Sequence, residues 1–137
     1  MKTLIKILSV LAIILLLAYL VVINLPQANI KGKDAEVEVS ATNLYEAFST
    51  DEASAEADYI GKVMVVSGII DETYSDEDDA PVVVLRSSEG DPVAVVTLEN
   101  SEISKVTKYN EGDNIAIKAM CNGMLMEVTL NKGIIVE

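Results

Sequence analysis

The sequence predicts an α+β chain in which one membrane-spanning helix precedes a small domain built around a five-stranded β-barrel. Three observations predict it. A long apolar run stands near the N-terminus, and five stretches with strand character follow within residues 62–137. Helix-like stretches precede the first of these strands and separate the third from the fourth. With 137 residues in all, the chain has room for a single domain after the apolar run.

The apolar run covers residues 7–25 and contains only two polar residues. As an α-helix it would be roughly 28 Å long, close to the thickness of the hydrocarbon layer of a bilayer. Lys2 and Lys6 precede it, which favours a cytoplasmic N-terminus. We therefore predict a signal anchor over residues 1–25, single-pass in the inner (cytoplasmic) membrane, with an extracytoplasmic C-terminal domain.

A cleaved signal peptide is the alternative, and it would release a secreted or periplasmic domain. The apolar core of a signal peptide is usually about 7–15 residues long, shorter than this run. Residues 26–28 are also a poor match to a small-residue cleavage site. The lysines that follow, Lys31 and Lys33, make the charge bias less clean. We favour the anchor because the run is longer than the usual apolar core of a signal peptide.

Composition excludes several kinds of chemistry. The chain has no His, which removes Ser-His and Cys-His nucleophiles and the commonest neutral metal ligand. Its single Cys, Cys121, allows neither an intrachain disulfide nor a Cys-rich zinc site. No catalytic constellation is visible, so we expect no enzyme activity, no cofactor and no metal.

The charge disfavours nucleic acid as a partner. Eight basic residues and 22 acidic residues follow the apolar run, a net charge of −14. Proteins that bind nucleic acid usually carry a basic patch, because neutralising phosphates supplies much of their affinity.

Residues 26–38 are polar and mixed in charge, and predict a linker to a domain over residues 39–137. Ser40 can cap a helix over residues 41–49. Its apolar side chains fall at helical spacing on one face: they are Leu44, Ala47 and Phe48, with Tyr45 beside them.

A second short helix follows, with Thr50 as its predicted cap and Gly61 at its end. From residue 62 the chain becomes β-branched and apolar on both faces, which predicts a strand that needs cover on both sides. The two helices can cover one side. Gly68 inside this strand predicts a bulge or a sharp bend, and residues 71–81 a loop.

The remaining elements complete the order. We predict strands over residues 82–88, 92–98, 114–121 and 124–130, a last segment over 133–137, and a short helix over 100–109. Inward-facing side chains would be Ile103 and Val106 on the helix, Ile115, Ile117, Ala119 and Cys121 on the fourth strand, and Met124, Met126, Val128 and Leu130 on the fifth. Three strands, a helix and two strands is the order of the OB-fold, a partly open five-stranded barrel. An open α+β sheet is the alternative.

A set of residues across the domain carries a family resemblance. They are Leu44, Tyr45, Ala47, Phe48, Asp51, Glu52, Ala53, Ala55, Tyr59, Gly61, Lys62, Gly68, Cys121, Gly123, Val128 and Leu130. On these residues the sequence resembles the tRNA_anti-like family of small bacterial OB-fold proteins, often exported or membrane-tethered, over residues 39–136. Ala119 and Glu127 depart from the pattern, where the family often has Gly and Asp. The resemblance implies the OB-fold and no established reaction.

The predicted binding surface is the face formed by the second and third strands. Its side chains would be Val82, Val84, Arg86, Val93, Val95 and Thr97, of which none is aromatic and one is basic. Tyr74 and Tyr109 are the nearby aromatic residues, so Tyr74, Arg86 and Tyr109 form the candidate ligand face. We expect a non-enzymatic binding or interaction module for a protein or a small ligand. The alternative is single-stranded nucleic-acid or oligosaccharide binding on this face.

Three other features have structural interpretations beside functional ones. The acidic loop over residues 71–79 fails the EF-hand pattern counted from Asp76, since its sixth and twelfth positions are Pro81 and Ser87. We predict a solvated loop, with weak cation binding as the alternative. Cys121 is predicted to pack in the core rather than serve a redox role. The Tyr59-Ile60-Gly61-Lys62 stretch is predicted to turn the chain rather than bind a ligand.

Overall fold

The computed structural model describes residues 1–23 and 29–137, without the side chains of Lys2, Val22 and Ile23. The elements in chain order are α1 Lys2–Ile23, β1 Val37–Ser40, α2 Ala41–Thr50, α3 Glu52–Tyr59, β2 Val63–Ser75, β3 Pro81–Arg86, β4 Pro92–Leu98, a 3₁₀ turn Asn100–Glu102, α4 Ile103–Val106, β5 Asn114–Met124 and β6 Val128–Ile135.

Residues 7–23 of the apolar run lie in α1, as their composition predicts. By length and composition, Thr3–Val21 could cross a membrane, and none of this stretch is buried inside the structure. The end of the predicted anchor at Leu25 and the start of the predicted linker at Pro26 lie outside the described residues.

Strands β2, β3, β4, β6 and β5 close into a barrel, which confirms the predicted OB-like fold. Neighbours pair in that order, and β5 returns to pair with β2. The closure works because β2 is 13 residues long. Its first half pairs with β5 and its second half with β3, both antiparallel. The parallel pairing of β4 with β6 completes the circle.

A sixth strand, β1, was not predicted from the sequence. It pairs in parallel with β2, from Val37 opposite Met64 to Ser40 opposite Ser67. It therefore occupies the edge of β2 that β3 leaves open. The segment before it is also docked, because Ile30 is buried and the Glu36 amide donates to the Val63 carbonyl at 2.8 Å. Part of the segment predicted as a linker thus belongs to the folded domain.

The predicted helical cover is present in α2. Leu44 and Phe48 are buried in the core, and Tyr45 and Ala47 are half-buried against it. Ser40 caps the helix as predicted, since its hydroxyl accepts a hydrogen bond from the Asn43 amide at 3.1 Å.

The bulge in β2 does not lie at Gly68. The pairing with β5 is continuous through Gly68, and the register with β3 shifts between Ile70 and Glu72 instead. Gly68 is needed for close packing: a Cβ there would lie 3.3 Å from the Cβ of Ala41 and 3.2 Å from the Cβ of Leu85. Beyond the bulge, β2 continues to Ser75, so the predicted loop is shorter than residues 71–81.

The connection from β4 to β5 differs from its prediction. One 3₁₀ turn and one α-helical turn replace the helix over residues 100–109. Val106 is buried as predicted, but Ile103 is 45% exposed and Glu102 is buried. In so short a helix, the apolar spacing cannot determine which side faces inward.

The fifth predicted strand does not start at residue 124, contrary to the expectation from the sequence. Met124 ends β5, and residues 125–127 form the turn to β6. Leu125 and Met126 are 91% and 79% exposed at this turn. The four predicted inward residues of β5 are all buried, as are Val128 and Leu130 in β6.

Candidate ligand-binding face

The outer face of the barrel over β2, β3 and β4 is set by cross-strand pairing. Val82 lies opposite Tyr74 on β2 and Thr97 on β4. Val84 lies opposite Glu72 and Val95 in the same way. Directly opposite residues share one side of a sheet. We call these side chains, together with Arg86, the outer face.

The centre of the outer face is apolar. Val82 and Val84 are only 3% and 6% exposed, although they point away from the barrel interior. The interior side of β3 is filled by Val83 and Leu85. A ligand on the outer face would therefore contact mainly the side chains around the two valines, of which Tyr74 is 48% exposed.

Tyr74 and Arg86 lie at opposite ends of this face. Tyr74 pairs with Val82, which is four residues from Arg86 on β3. At about 3.3 Å per residue, the two positions are roughly 13 Å apart along the strand. They can contact two ends of one extended ligand but cannot meet.

Arg86 is half-buried at its end of the face. Its Nε is buried and has no hydrogen-bond partner among the described residues. The next residue, Ser87, lines a cleft of about 340 Å³ between α2 and the β3–β4 turn. Polar side chains line most of this cleft: Thr42, Tyr45, Glu46, Ser87, Ser88, Glu89 and Asp91, beside Pro92 and Val93.

Tyr109, the third residue of the candidate face, lies elsewhere. It follows α4, its amide donates to the Val106 carbonyl at 3.0 Å, and its half-buried ring packs against the hydrophobic core. The structure thus places Tyr74 and Arg86 on one face and Tyr109 in the connection between α4 and β5.

Within the acidic loop, the Asp76 carboxylate is hydrogen-bonded to the loop's own backbone. Asp76 accepts from the amides of Asp78 and Ala80 through one carboxylate oxygen, both at 2.9 Å. A groove of about 460 Å³ runs beside it to Thr97 and Asn131. The described residues contain no cluster of three or more His, Cys, Asp or Glu side chains placed to hold a metal ion.

Cys121 and Tyr59 pack as their structural interpretations predict. Cys121 is 1% exposed, and burial raises the pKa of its thiol, opposed by a hydrogen bond from the Gly123 amide. The Tyr59 ring lies 6.1 Å from the Phe48 ring, centroid to centroid. Gly61 turns the chain at φ 78°, and its amide donates to the Cys121 carbonyl at 2.9 Å.

The sequence interpretation missed two polar groups that the fold positions. The Glu102 carboxylate accepts from the Ile135 amide at 3.1 Å and lies 3.3 Å from the Lys105 ammonium. The ammonium of Lys118 donates to the carbonyls of Lys33 and Lys31, at 2.9 and 3.3 Å. The i, i+3 spacing of Glu102 and Lys105 was a local signal for the first. Nothing local in the sequence indicates the second.

A solved structure shares this fold, and two others align with this chain more weakly. A lipoprotein from Klebsiella pneumoniae, provisionally described as nucleic acid-binding, aligns at 18% identity with a TM-score of 0.60 over 73% of this chain and 91% of its own. The S. pombe Stn1–Ten1 complex aligns at 15% identity and a TM-score of 0.43, over 55% of this chain and 58% of its own. An aspartyl-tRNA synthetase, provisionally so described, from Leishmania major aligns at 13% identity and a TM-score of 0.48, over 80% of this chain and 23% of its own.

A comparison with curated protein sequences found no match. The profile of one family, tRNA_anti-like, matches residues 1–135, essentially the whole chain. Because that match covers essentially the whole chain, the chain belongs to the tRNA_anti-like family.

Proposed function

We propose that this chain is a non-enzymatic, membrane-tethered binding module whose outer face engages a protein or a small ligand outside the cytoplasm. The outer face carries the proposal. It has an exposed ring at Tyr74 and, at its other end, a half-buried guanidinium at Arg86 whose Nε has no partner among the described residues. An aromatic ring and a few placed polar groups are typical of binding sites.

A photo-crosslinking amino acid placed in the full chain tests the use of this face. Introduced at Tyr74 or Thr97 in native membranes, it should capture one dominant partner, and the same probe at exposed Glu52 on α3 should not. Capture should weaken when Arg86→Gln is added. Equal capture from all three positions would contradict a role for the outer face.

Membrane attachment and orientation are proposed from α1 and the lysines that precede it. A phosphatase reporter that works only outside the cytoplasm, fused after Glu137, should be active and should stay with the membrane after alkaline extraction. A reporter released into the soluble fraction would favour the cleaved signal peptide. Activity confined to a cytoplasmic reporter would reverse the orientation.

Single-stranded nucleic acid is the second candidate ligand, and the description of the Klebsiella lipoprotein favours it. The net charge of −14 after the apolar run and the valine-rich outer face oppose it. Titration of the full chain in detergent with fluorescent single-stranded DNA and RNA tests this second candidate. We expect no binding. Binding whose log affinity falls linearly with the log of the salt concentration would favour nucleic acid as the ligand.

A further inference from the structure

The second half of β2 has one edge without a partner strand. Up to Ile69, β2 pairs with β5 on this edge, and from Ile69 onwards it pairs with β3 on the other edge. The turn before β5 makes two more hydrogen bonds to this edge. The Ile70 amide donates to the Asp113 carbonyl at 2.9 Å, and the Gly112 amide donates to the Ile70 carbonyl at 2.8 Å. Among the residues that the structure describes, no strand pairs with this edge beyond Ile70. We call residues 71–75 on this side of β2 the open edge.

The hydrogen-bonding groups of the open edge belong to alternate residues. The Asp76 amide donates to the Ala80 carbonyl at 3.0 Å, at the closed end of the hairpin between β2 and β3. In an antiparallel pair, every second residue directs its N–H and C=O to the partner strand, so Tyr74 faces β3 as Asp76 does. Thr73 and Ser75 therefore direct their N–H and C=O groups away from β3, towards the open edge.

The open edge is accessible to solvent. Residues 72–75 are all exposed, on both faces of the strand. An exposed edge of this kind can accept an extended peptide, which adds a strand through main-chain hydrogen bonds. The open edge is roughly 17 Å long at about 3.3 Å per residue, so it can pair with a short extended segment of a partner.

The charge around the open edge determines which peptides it attracts. Residues 71–79 carry six carboxylates, and residues 63–85 contain no Lys or Arg. The adjacent turn, residues 108–113, adds two acidic residues and one lysine. Lys132 on β6 lines the groove beside the acidic loop and offsets part of this charge. A net negative charge remains, so the open edge attracts a basic segment and repels a second copy of itself.

We propose that the open edge binds an extended peptide segment of a partner protein, with Lys or Arg at alternate positions, as an added strand beside β2. This inference rests on the binding module proposed above and names the class of its partner. Directly opposite residues on adjacent strands share one side of a sheet. The basic side chains of the added strand therefore lie beside Glu72 and Tyr74 on the outer face, where a carboxylate and an aromatic ring both favour a cation.

Blocked peptides of alternating lysine and threonine, about nine residues long, test the proposal with the full chain in non-ionic detergent. We expect binding, and we expect no binding when glutamate replaces lysine. Two further peptides keep the positive charge and carry N-methyl groups on either the lysine or the threonine amides. Only one of these two sets can face β2, so one methylated peptide should bind about tenfold more weakly than the other. Equal affinities would mean that charge alone attracts the peptide, and would overturn the proposal.

Amide hydrogen exchange locates the bound peptide on the chain. The amides of Thr73 and Ser75 should exchange roughly tenfold more slowly when the lysine–threonine peptide is bound. The amide of Ser88, an exposed residue in the turn between β3 and β4, should be unaffected. Unchanged exchange at Thr73 and Ser75 while the peptide binds would place the peptide elsewhere and overturn the proposal.

A proline variant tests the same edge from the side of the protein. Thr73→Pro removes an outward N–H without removing a hydrogen bond to β3, and should weaken peptide binding about tenfold. Ser88→Pro is the matched control. The Gly90 amide donates to the Ser87 carbonyl at 3.1 Å, which makes Ser88 the second residue of a turn, where proline is favoured. Equal binding by both folded variants would contradict strand addition.

One outcome separates this inference from the proposed function. A crosslinking probe at Tyr74 that captures a dominant partner, together with no binding of the lysine–threonine peptide, would overturn strand addition at the open edge. The outer face would then remain the proposed binding surface.

Discussion

At Gly133 the barrel interior has no space for a side chain. A Cβ there would lie 2.6 Å from Leu98 Cδ2, 3.0 Å from Val96 Cγ1 and 3.1 Å from Ile117 Cγ2. Gly133→Ala should lower the free energy of unfolding by about 1–3 kcal/mol, because added atoms in a filled core force neighbours out of place. Chemical denaturation measures it. Gly32→Ala, at a site with no atom within 4 Å, is the control, and equal stability of the two variants would contradict this packing.

The buried Glu102 carboxylate links the end of β6 to the 3₁₀ turn before α4. Glu102→Ala removes the acceptor for the Ile135 amide and the partner of Lys105. It should cost about 2–3 kcal/mol, whereas Glu102→Gln, which retains an acceptor oxygen, should cost about 1 kcal/mol. Thermal unfolding of both variants decides it. Equal losses would mean that the hydrogen bond to Ile135 contributes nothing.

The alternation of apolar residues along a strand correctly predicted which residues are buried, whereas the apolar spacing in a short helix did not. The inward face of β5 follows from every second residue being apolar, and all four of those side chains are buried. Glu102 could not be placed inside from the sequence. The Ile135 amide that donates to the Glu102 carboxylate is 33 residues away in the sequence. The buried carboxylate therefore gains this hydrogen bond only when β6 closes the barrel.

At the scale of elements, two residues could cap the N-terminus of α3. Thr50 was predicted, but the Asp51 carboxylate accepts from the Ser54 amide at 3.2 Å and from its hydroxyl at 2.9 Å. These hydrogen bonds lower the pKa of Asp51 below its usual 3.8. Asp51→Ala should therefore reduce the melting temperature at pH 7 by a few degrees, and Thr50→Ala should leave it unchanged.

The pH dependence of that effect has a definite sign. A carboxyl group with a lowered folded-state pKa stabilises the fold above its unfolded pKa, and the stabilisation disappears as pH falls through the folded value. The difference between wild type and Asp51→Ala should be constant above pH 5 or so and should narrow below pH 3.8. A difference that widens on acidification would exclude the Asp51 cap.

The elements that the sequence failed to predict are those defined by a distant partner. β1 is four residues long and lies in a polar segment, so no periodicity marks it. It is a strand because β2 has an unpaired edge up to Ser67. Gly68 stands where that edge changes partner from β1 to β3, and its packing against α2 could not be read from β2 alone.

At the scale of the whole molecule, the order of elements predicted the barrel, whereas the candidate site was predicted only in part. Closure of the barrel follows from the long strand β2 and from the helical connection that separates β5 and β6 from β2, β3 and β4. Tyr74 and Arg86 share the outer face because pairing fixes which side each residue takes. Tyr109 lies beyond the last turn of α4, and its packing depends on where that turn docks.

The charge of the domain gives a prediction for the molecule as a whole. With 22 acidic and eight basic residues after the apolar run, like-charge repulsion opposes the compact state. Salt screens that repulsion, since the Debye length falls from about 30 Å at 0.01 M to about 10 Å at 0.1 M. Raising NaCl across this range should increase the melting temperature of the full chain in non-ionic detergent by a few degrees.

Two controls separate screening from specific cation binding. Choline chloride should reproduce the effect of NaCl, because screening depends on ionic strength alone. CaCl₂ at matched ionic strength should add nothing further if residues 76–80 are a self-satisfied loop, as the hydrogen bonds of Asp76 indicate. Extra stabilisation by Ca²⁺ that Asp76→Asn abolishes would instead make the acidic loop a cation site. A melting temperature that falls as NaCl is raised would contradict net repulsion as the dominant electrostatic effect.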